Sequence, residues 1–379
     1  MSLAIVVTAR GCPRNLRELC VAATEAGGDA VVIYAAEDDV EEGADEARAI
    51  ATAAGARLVV AQPRDFGDLP IRPHCPQVRV AGIARAVIDG CDPVWLVDDD
   101  GFGASGAQVE AARAALDGPY ALDGPYTIEA RATSGVLDPY ELLAADGPSW
   151  IWARGMPRVG WGRPVEYHTA TESARVVAAQ GWCLGEPDVD ATRRVVAAWS
   201  QAMGEARFAV AGSSSPVARR LAARTWTPLN AQNTVLRREA LGAYWYPYID
   251  ALGPLSAARM DDIVAGWILQ ACVEAKGNRL AVGGPALVQD RNEHDPFDDL
   301  EREAYGYALS EFVYGWARAW AKDASEAHRE RGYAEMLGRC AADLERDAWL
   351  ARRPHLVRWA EQIARAAGRW AEWARSHGL

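Results

Sequence analysis

Three consecutive aspartates, Asp98, Asp99 and Asp100, follow a short apolar run at 94–97. Like charges a few ångströms apart repel strongly inside a protein, so three carboxylates at the end of a buried strand need compensation. A divalent cation supplies it, because Mg²⁺ and Mn²⁺ prefer oxygen ligands and commonly bridge carboxylates to a substrate diphosphate. The alternative interpretation is a solvated acidic turn. The preceding apolar run favours the metal site, with all three aspartates as ligands.

Arginines would be needed to bind such a diphosphate, since the guanidinium fork gives bidentate hydrogen bonds to phosphate. The chain is rich in arginine, so most of these side chains are expected at the surface. Arg10 and Arg14 follow the first apolar run, and Arg85 lies in the helical pattern before the aspartates. We retain these three as candidates for binding the diphosphate. Three more lie in a central region rich in Gly, Pro, Tyr and Trp, where substrate contacts are expected: Arg154, Arg158 and Arg163.

A second pair of acids, Asp261 and Asp262, lies in the first turn of a strong helical pattern at 259–276. Acids are favoured there by the positive end of a helix, so capping explains the pair as well as a functional role does. In the functional alternative, the two carboxylates hold a sugar hydroxyl or act as a base.

Two polar segments offer further ligands. The amides at 230–234, which include Asn233, suit hydroxyl recognition or form a turn. The polar loop at 289–297 contains Asp290 and His294, and either is a candidate for an additional metal or phosphate ligand.

The first hundred residues predict the elements that position these groups. Short apolar runs at 3–8, 30–35, 57–61 and 93–97 alternate with helical patterns. Such alternation is typical of βαβ units around a mainly parallel sheet. In sheets of this kind, ligands bind at the carboxyl ends of the strands, which is where the three aspartates lie.

The pattern beyond about Leu300 is helical to the end of the chain. Trp316, Trp320, Trp359 and Trp370 recur among apolar residues at helical spacing, and such aromatic faces form a core more often than a ligand site. We therefore predict a catalytic domain at 1–300 and a C-terminal helical subdomain at 301–379. Apolar helices of this kind are compatible with a homodimer.

Composition restricts the functional class. The chain has 379 residues, more than one hydrophobic core usually supports, and a formal charge of −12, which argues against nucleic acid as the main partner. Seven cysteines without a Cys-x-x-Cys pair indicate a reduced, cytoplasmic protein. No apolar run suits a signal peptide or approaches the ~20 residues of a membrane span. The fingerprints of dinucleotide oxidoreductases after the first strand, of P-loop enzymes and of serine hydrolases are missing.

Segments in the same order along most of the chain resemble the reversibly glycosylated polypeptides, the plant-type family of UDP-arabinopyranose mutases. Asp98-Asp99-Asp100 matches the metal and diphosphate triplet of that family, and 260–267 is similar to its Tyr-Asp-Asp-Met-Trp-Ala-Gly-Trp. The other similar segments are 14–16, 138–140, 154–157, 181–184, 187–191, 233–241 and 296–300.

The resemblance implies an α/β fold like that of the GT-A glycosyltransferases, with a Rossmann-like mixed, mainly parallel sheet flanked by helices and a C-terminal helical subdomain. It also implies a flavin-independent, metal-dependent mutase that interconverts pyranose and furanose forms of a UDP- or GDP-linked sugar, as in bacterial furanose biosynthesis. Mn²⁺ or Mg²⁺ on the triplet would stabilise the departing diphosphate, and neither flavin nor NAD is expected.

The resemblance and the residue patterns together give the predicted site. Nucleotide and diphosphate binding is assigned to Thr8, Arg10, Arg14, Arg85, Asp98 and Asp99. Sugar binding is assigned to Arg154, Asn233 and Trp267. The predicted catalytic residues are Arg158, Arg163, Asp261 and Asp262. The family's reversibly glycosylated arginine stands in a Leu-Arg-Glu-Gly setting that this chain lacks, and Arg158 and Arg163 are its candidates by position.

Two other functions remain open. A glycosyltransferase of similar fold would use the same metal and diphosphate residues but move the sugar to an acceptor. A non-catalytic nucleotide-sugar-binding or assembly protein is the third hypothesis, and the presence of both acidic motifs disfavours it.

Overall fold

The computed structural model describes residues 2–9, 11–37, 41–67, 69, 71, 77–118, 127–139, 153–161, 165–170, 174–185, 189–195, 218–253, 255–291, 295–324 and 329–379. The predicted site residues Arg10, Arg163 and His294 lie outside these ranges, as does most of the central region rich in Gly, Pro, Tyr and Trp.

Four parallel strands form one half of the sheet, in the order β3-β2-β1-β4. These strands are β1 (Leu3–Thr8), β2 (Ala30–Ala35), β3 (Leu58–Ala61) and β4 (Val94–Asp98). The helices that connect them are α1 (Leu16–Glu25), α2 (Glu41–Ala54) and α3 (Val78–Ile88). This is the βαβ arrangement that the alternating pattern predicted, and it places Asp98 at the carboxyl end of β4.

The other half of the sheet is mixed. It comprises β5 (Gly101–Phe102), β6 (Thr127–Ala132), β7 (Val165–Ala170), β8 (Val176–Gly185), β9 (Arg219–Leu221), β10 (Asn233–Leu236) and β11 (Arg279–Gln289). Strand β10 is antiparallel to β4 and to β8, and the order continues β4-β10-β8-β11-β9-β6-β7, with β5 paired to β11. Helix α4 (Gly106–Asp117) packs against β11 and β8.

The two faces of the sheet lie against separate hydrophobic cores. In β1, the side chains of Leu3, Ile5 and Val7 enter one core, whereas those of Ala4 and Val6 enter the other. This division follows from the alternation of side chains along a strand. Because β1 is covered on both faces, its residues form a continuous apolar run, as is usual for buried parallel strands.

Four further helices cover the face that α3 also covers. They are α5 (Asp261–Lys276), α6 (Pro296–Ala324), α7 (Tyr333–Asp347) and α8 (Pro354–Ser376). The buried side chains Trp359 and Trp370 of α8 belong to the same hydrophobic core as α3 and α5, which confirms that the aromatic stripe is core. Helix α6 runs through the boundary predicted after residue 300, and the division into two domains stays a prediction.

The α/β class predicted from the sequence is confirmed. The sheet is mixed, most of its strands run in one direction, helices flank both faces, and the C-terminal region is helical. None of the described helices has both the length and the apolar composition that crossing a membrane requires.

Candidate active site at the carboxyl end of the fourth strand

Asn15, the residue before α1, holds the turn that contains the three aspartates. Its side chain is fully buried, and Nδ2 donates hydrogen bonds to the carbonyl oxygens of Asp98 and Gly101, both at 2.7 Å. These bonds satisfy carbonyls on both sides of the turn and fix its backbone. Asn15 is therefore a positioning residue for the aspartates, a role that the sequence pattern did not reveal.

The three aspartates do not converge. The Asp98 carboxylate accepts a hydrogen bond from Arg79, and the Asp100 carboxylate accepts one from Gln289 on β11. Asp99 is partly buried and makes no ion pair with the described residues, and burial, followed by the charge of Asp98, raises its pKa. Asp290, the further predicted ligand, pairs with Arg14 at 2.5 Å.

Binding of a metal by all three aspartates therefore stays a prediction. Among the described residues, no group of three acidic, histidine or cysteine side chains is arranged to hold a metal ion. Asp99 and Asp100 nevertheless suit a cation that takes most of its ligands from the substrate. Mg²⁺ in phosphate-binding sites commonly uses one or two carboxylates plus substrate phosphates.

Arg79, the second residue of α3, is the cation that contacts the triplet. Its side chain is 7% exposed, pairs with Asp98, and has its guanidinium carbon 5.4 Å from the centroid of the Tyr246 ring. Burial alone would lower the pKa of Arg79, yet the nearby Asp98 and Asp262 carboxylates and two tyrosines keep it above the ordinary arginine value. Arg79 thus carries a permanent positive charge between two acidic motifs.

Arg85, which we predicted to bind diphosphate, does not reach the triplet. It lies in the last turn of α3, about 9 Å further along the helix axis than Arg79, and pairs with Asp89 at 3.1 Å. The direction of α3 brings its first turn, not its last, to the carboxyl end of β4. The prediction for Arg85 is therefore wrong, and Arg79 takes its place.

Asp262 at the start of α5 is buried and fully engaged. Its Oδ2 accepts hydrogen bonds from Arg154 at 2.8 Å and from the backbone N–H of Ala231 at 3.2 Å, and its Oδ1 accepts one from Ile263 N–H at 2.8 Å. Because these partners come from three segments of the chain, Asp262 connects the first turn of α5 to the segments that contain Arg154 and Ala231. Arg154, predicted to bind a sugar, is committed to this ion pair.

Asp261 is also buried, but it differs from Asp262 in its protonation. Burial and the adjacent Asp262 charge raise its pKa to about 7, and the opposing charges of Arg154 and Arg79 are weaker influences. The only hydrogen bond described for this carboxylate comes from the backbone N–H of Asp262, at 3.0 Å. A carboxyl with a pKa near neutral pH is suited to accept and release a proton.

The two acidic motifs of the sequence meet around Arg79. Its guanidinium pairs with Asp98 and interacts electrostatically with Asp262, and Asp261 in turn interacts with Arg79. We call the group formed by Arg79, Asp98, Asp99, Asp261 and Asp262 the acidic site. The positions of 98–100 and 261–262 in the sequence do not predict that the two acidic motifs lie near each other. Their proximity results from α5 packing on the same side of the sheet as α3.

Thr8 lies beside Asp98, since the two residues are register partners in β1 and β4. The Thr8 hydroxyl is buried and has no hydrogen-bond partner within the described residues. A buried unpartnered hydroxyl at the carboxyl end of a strand is consistent with the predicted ligand-binding role of Thr8. Arg14 lies nearby on the chain, where its guanidinium stacks on Phe102 and pairs with Asp290.

Two residues predicted to bind sugar are instead structural. Asn233 is fully buried in β10, where its amide bonds the carbonyls of Trp182 and Pro285 at 2.9 and 2.8 Å and accepts the Trp95 indole N–H at 2.7 Å. Its polar atoms are thus already occupied, and the predicted sugar contact is wrong.

Trp267 is likewise structural. It is fully buried in α5, donates from Nε1 to Ser310 at 3.0 Å and lies against Tyr314 with 5.1 Å between ring centroids. No part of its side chain is exposed to a ligand.

Arg158 lies away from the acidic site. Its side chain is 72% exposed and pairs with Glu311 of α6 at 2.9 Å, beside a separate cavity. The structure therefore gives no support to a direct catalytic role for Arg158, and Arg163 lies outside the described residues.

Comparisons with known proteins place the chain among distant structural neighbours only. No family model and no curated protein sequence matches it. It is similar to a solved structure of glucosyl-3-phosphoglycerate synthase from Mycobacterium tuberculosis, with 13% identity and a TM-score of 0.39 over 83% of this chain and 81% of that chain. It is also similar to mannosyl-3-phosphoglycerate synthase from Rubrobacter xylanophilus, with 13% identity and a TM-score of 0.38 over 85% and 75%.

One structure of the mycobacterial synthase contains Mn²⁺, uridine diphosphate and phosphoglyceric acid. The similarity of the present chain to that structure has a TM-score of 0.39 at 14% identity. Values this low assign no activity to the chain, and its resemblance to the mutase family stays a prediction.

Proposed function

We propose that the chain is a nucleotide-sugar-dependent glycosyltransferase of the GT-A type. The observation that carries this proposal is Asp261, a buried carboxyl whose pKa is raised to about 7 beside the cation of Arg79. Direct displacement by an acceptor hydroxyl is assisted by a base whose pKa lies near the operating pH, and Asp261 is suited to that role.

The groups at the carboxyl ends of β1 and β4 suit the donor. Asp99 and Asp100 would supply oxygen ligands for a divalent cation, which when bound offsets the negative charge of a nucleoside diphosphate. Arg79 keeps Asp98 in place and contributes a fixed positive charge, since its guanidinium is buried and paired. The Thr8 hydroxyl, which has no partner among the described residues, would donate a hydrogen bond to the nucleotide at the adjacent strand end.

The proposed reaction is a displacement at the anomeric carbon. Asp261 accepts the proton of the acceptor hydroxyl while the acceptor oxygen forms the new bond to that carbon. The bond from the anomeric carbon to the diphosphate breaks, and the diphosphate leaves with the electron pair. The proton on Asp261 returns to solvent after product release.

A mutase is the second candidate, because 98–100 and 260–267, the segments most similar to the mutase family, both contribute to the acidic site. A mutase that glycosylates its own arginine needs a guanidinium that loses a proton before it attacks. Arg79 belongs to the acidic site and Arg154 pairs with Asp262 of that site, and both arginines are buried in these ion pairs. A raised pKa makes Arg79 a poor nucleophile. These contacts favour transfer to an external acceptor.

The deciding experiment separates the two activities. Purified protein with Mn²⁺ is incubated with a panel of UDP- and GDP-pyranoses, with and without a set of hydroxyl acceptors that includes neutral polyols and phosphorylated hydroxy acids. We expect nucleoside diphosphate to be released only when an acceptor is present, together with a glycosylated acceptor. Formation of an isomeric nucleotide sugar without acceptor would establish the mutase instead.

A matched pair of variants tests the assignment of the base. Asp261→Asn should reduce transfer about 10²- to 10⁴-fold, the usual contribution of general base catalysis. Asp89→Asn, at the residue that follows the end of α3, should leave transfer unchanged. If Asp261→Asn retains full activity, the proposal loses its base and fails.

A further inference from the structure

A cavity of about 310 Å³ lies between α8 and the segment at 245–250, next to the acidic site. One of its walls is Tyr246, the same side chain whose ring lies against the guanidinium of Arg79. Tyr246 thus belongs both to the cavity wall and to the surroundings of Arg79, although none of the predicted site residues lines the cavity.

The open side of the cavity is positively charged. Arg365 and Arg369 line it from successive turns of α8, so their side chains lie on the same face of the helix. Both are exposed, and neither has an ion pair with a residue that the structure describes. Asp250 is the acid on the cavity wall, so the two guanidiniums outnumber it.

Trp245, another residue that lines the cavity, has a buried hydrogen-bond donor without an acceptor among the described residues. Trp245 is 2% exposed, and its Nε1–H has no partner within the described residues. Leaving such a group unpaired is unfavourable, because the hydrogen bond that it made to water in the unfolded chain is not replaced. Other buried indoles of this chain avoid that cost, for example Trp95 through Asn233 and Trp370 through the carbonyl of Leu241.

We propose that this cavity binds a small anionic ligand through its phosphate or carboxylate group. The anion lies between the guanidiniums of Arg365 and Arg369 and accepts the hydrogen bond that Trp245 Nε1 leaves unused. Guanidinium forks bind phosphate and carboxylate in bidentate fashion, and such charge-assisted bonds are about twice as strong as neutral ones. The cavity volume lies at the lower end of the range for small-molecule pockets, so the ligand is compact.

The binding site is independent of the proposed transferase activity and is tested without any nucleotide sugar. Calorimetric titration at low ionic strength uses four probes, namely inorganic phosphate, glycerol 3-phosphate, malonate and citrate. We expect saturable binding of the phosphates, the carboxylates or both, and the ranking of the four identifies the preferred group. No saturable binding of any probe at millimolar concentration overturns the proposal.

Two double variants distinguish the cavity from general electrostatic attraction. Arg365→Gln with Arg369→Gln should weaken binding at least about tenfold. Arg358→Gln with Arg375→Gln removes the same charge from exposed positions of α8 that do not line the cavity, and should leave the affinity within about twofold. Equal losses in both double variants would mean that the anion does not bind in this cavity.

A spectroscopic measurement tests the buried donor. The indole ¹⁵N–¹H resonance of Trp245, identified by its disappearance in Trp245→Phe, should shift as the bound anion accepts its hydrogen bond. The indole resonance of Trp370, which is already bonded to a carbonyl, serves as the reference. A saturating probe that leaves the Trp245 resonance unmoved would contradict the proposed geometry.

Discussion

Arg79 in the first turn of α3 and Asp98 at the end of β4 form an ion pair in which the arginine is almost completely buried. This pair fixes the helix before the aspartates to the strand that carries them. Since Arg79 also interacts with Asp262, one guanidinium connects two acidic motifs that lie more than 160 residues apart in the sequence.

Replacing Arg79 by methionine should destabilise the protein by about 3 kcal/mol, because it leaves a partly buried carboxylate without its cation. Urea unfolding followed by circular dichroism measures the loss. Arg85→Met is the matched control on the same helix and should cost less than about 1 kcal/mol, since the Arg85 side chain is 41% exposed, against 8% for Arg79. Adding Asp98→Asn to Arg79→Met should recover part of the stability. Equal losses for the two arginine variants would contradict the role of the buried pair.

The parallel strands β1, β2 and β4, the last of which ends in Asp98, were predictable because their sequence signal is local. The runs at 3–8 and 30–35 are continuous and apolar, and the structure has strands over those residues. A strand that is buried on both faces is apolar at nearly every position, so its own residues are enough to identify it. The placement of Asp98 at a carboxyl end, and of Asp261 in a first helical turn, follows from the same local patterns.

The partners of those acids were not predictable, because tertiary packing selects them. Arg79 and Arg85 occupy one helical pattern, and only the direction in which α3 packs decides which of them meets Asp98. Tyr246 comes from a distant aromatic segment at 244–248 that carries no periodic signal. Asn233 has a turn-like sequence context, yet its pairing opposite Val97 places it inside the sheet.

Activity should depend on the ionisation of Asp261. Its pKa of about 7 means that the fraction of enzyme with an ionised base rises as pH increases through neutrality. The rate at saturating substrate should therefore increase from pH 6 to pH 8 and then level off, whereas an ordinary aspartate would be fully ionised well below pH 6. Residual activity of Asp261→Asn should lack this rise. A wild-type profile that is flat between pH 5.5 and 8 would exclude Asp261 as the base.

The same residue should make stability depend on pH. The ordinary pKa of 3.8 applies to Asp261 in the unfolded chain, and about 7 applies in the folded protein. Between these values the folded state binds more protons than the unfolded state, so the contribution of Asp261 to the free energy of unfolding decreases as pH rises. Asp261→Asn removes this contribution.

Denaturant unfolding at pH 4.5, 6 and 8 measures that effect. The stability of Asp261→Asn relative to the wild type should increase steadily over the series. Asp45→Asn, whose side chain is largely exposed, should show a constant difference from the wild type. A constant difference for Asp261→Asn as well would mean that the folded protein does not raise its pKa.

Asp99 should be the principal protein ligand for a divalent cation at the acidic site, because Asp98 and Asp100 each have a side-chain partner. Asp99→Asn should lower the affinity for Mn²⁺ at least about tenfold when UDP or GDP is present, since one anionic oxygen ligand is lost. Calorimetric titration of Mn²⁺ measures the change, with Asp290→Asn expected to have a smaller effect. If Asp99→Asn and the wild type bind Mn²⁺ equally, the cation does not use this carboxylate.

Substitution of Trp267 should lower stability and leave substrate binding unchanged. Its indole packs against Tyr314 and donates a hydrogen bond to Ser310, away from any ligand. Trp267→Phe preserves most of the packing but leaves the Ser310 hydroxyl without its donor, which should cost about 1–3 kcal/mol in urea unfolding. Ser310→Ala removes the other partner of the same bond, and the double variant should lose less than the sum of the two single losses. The KM for the nucleotide sugar should stay within about twofold of the wild type in all three variants. A tenfold rise in KM without loss of stability would show that Trp267 contacts the sugar after all.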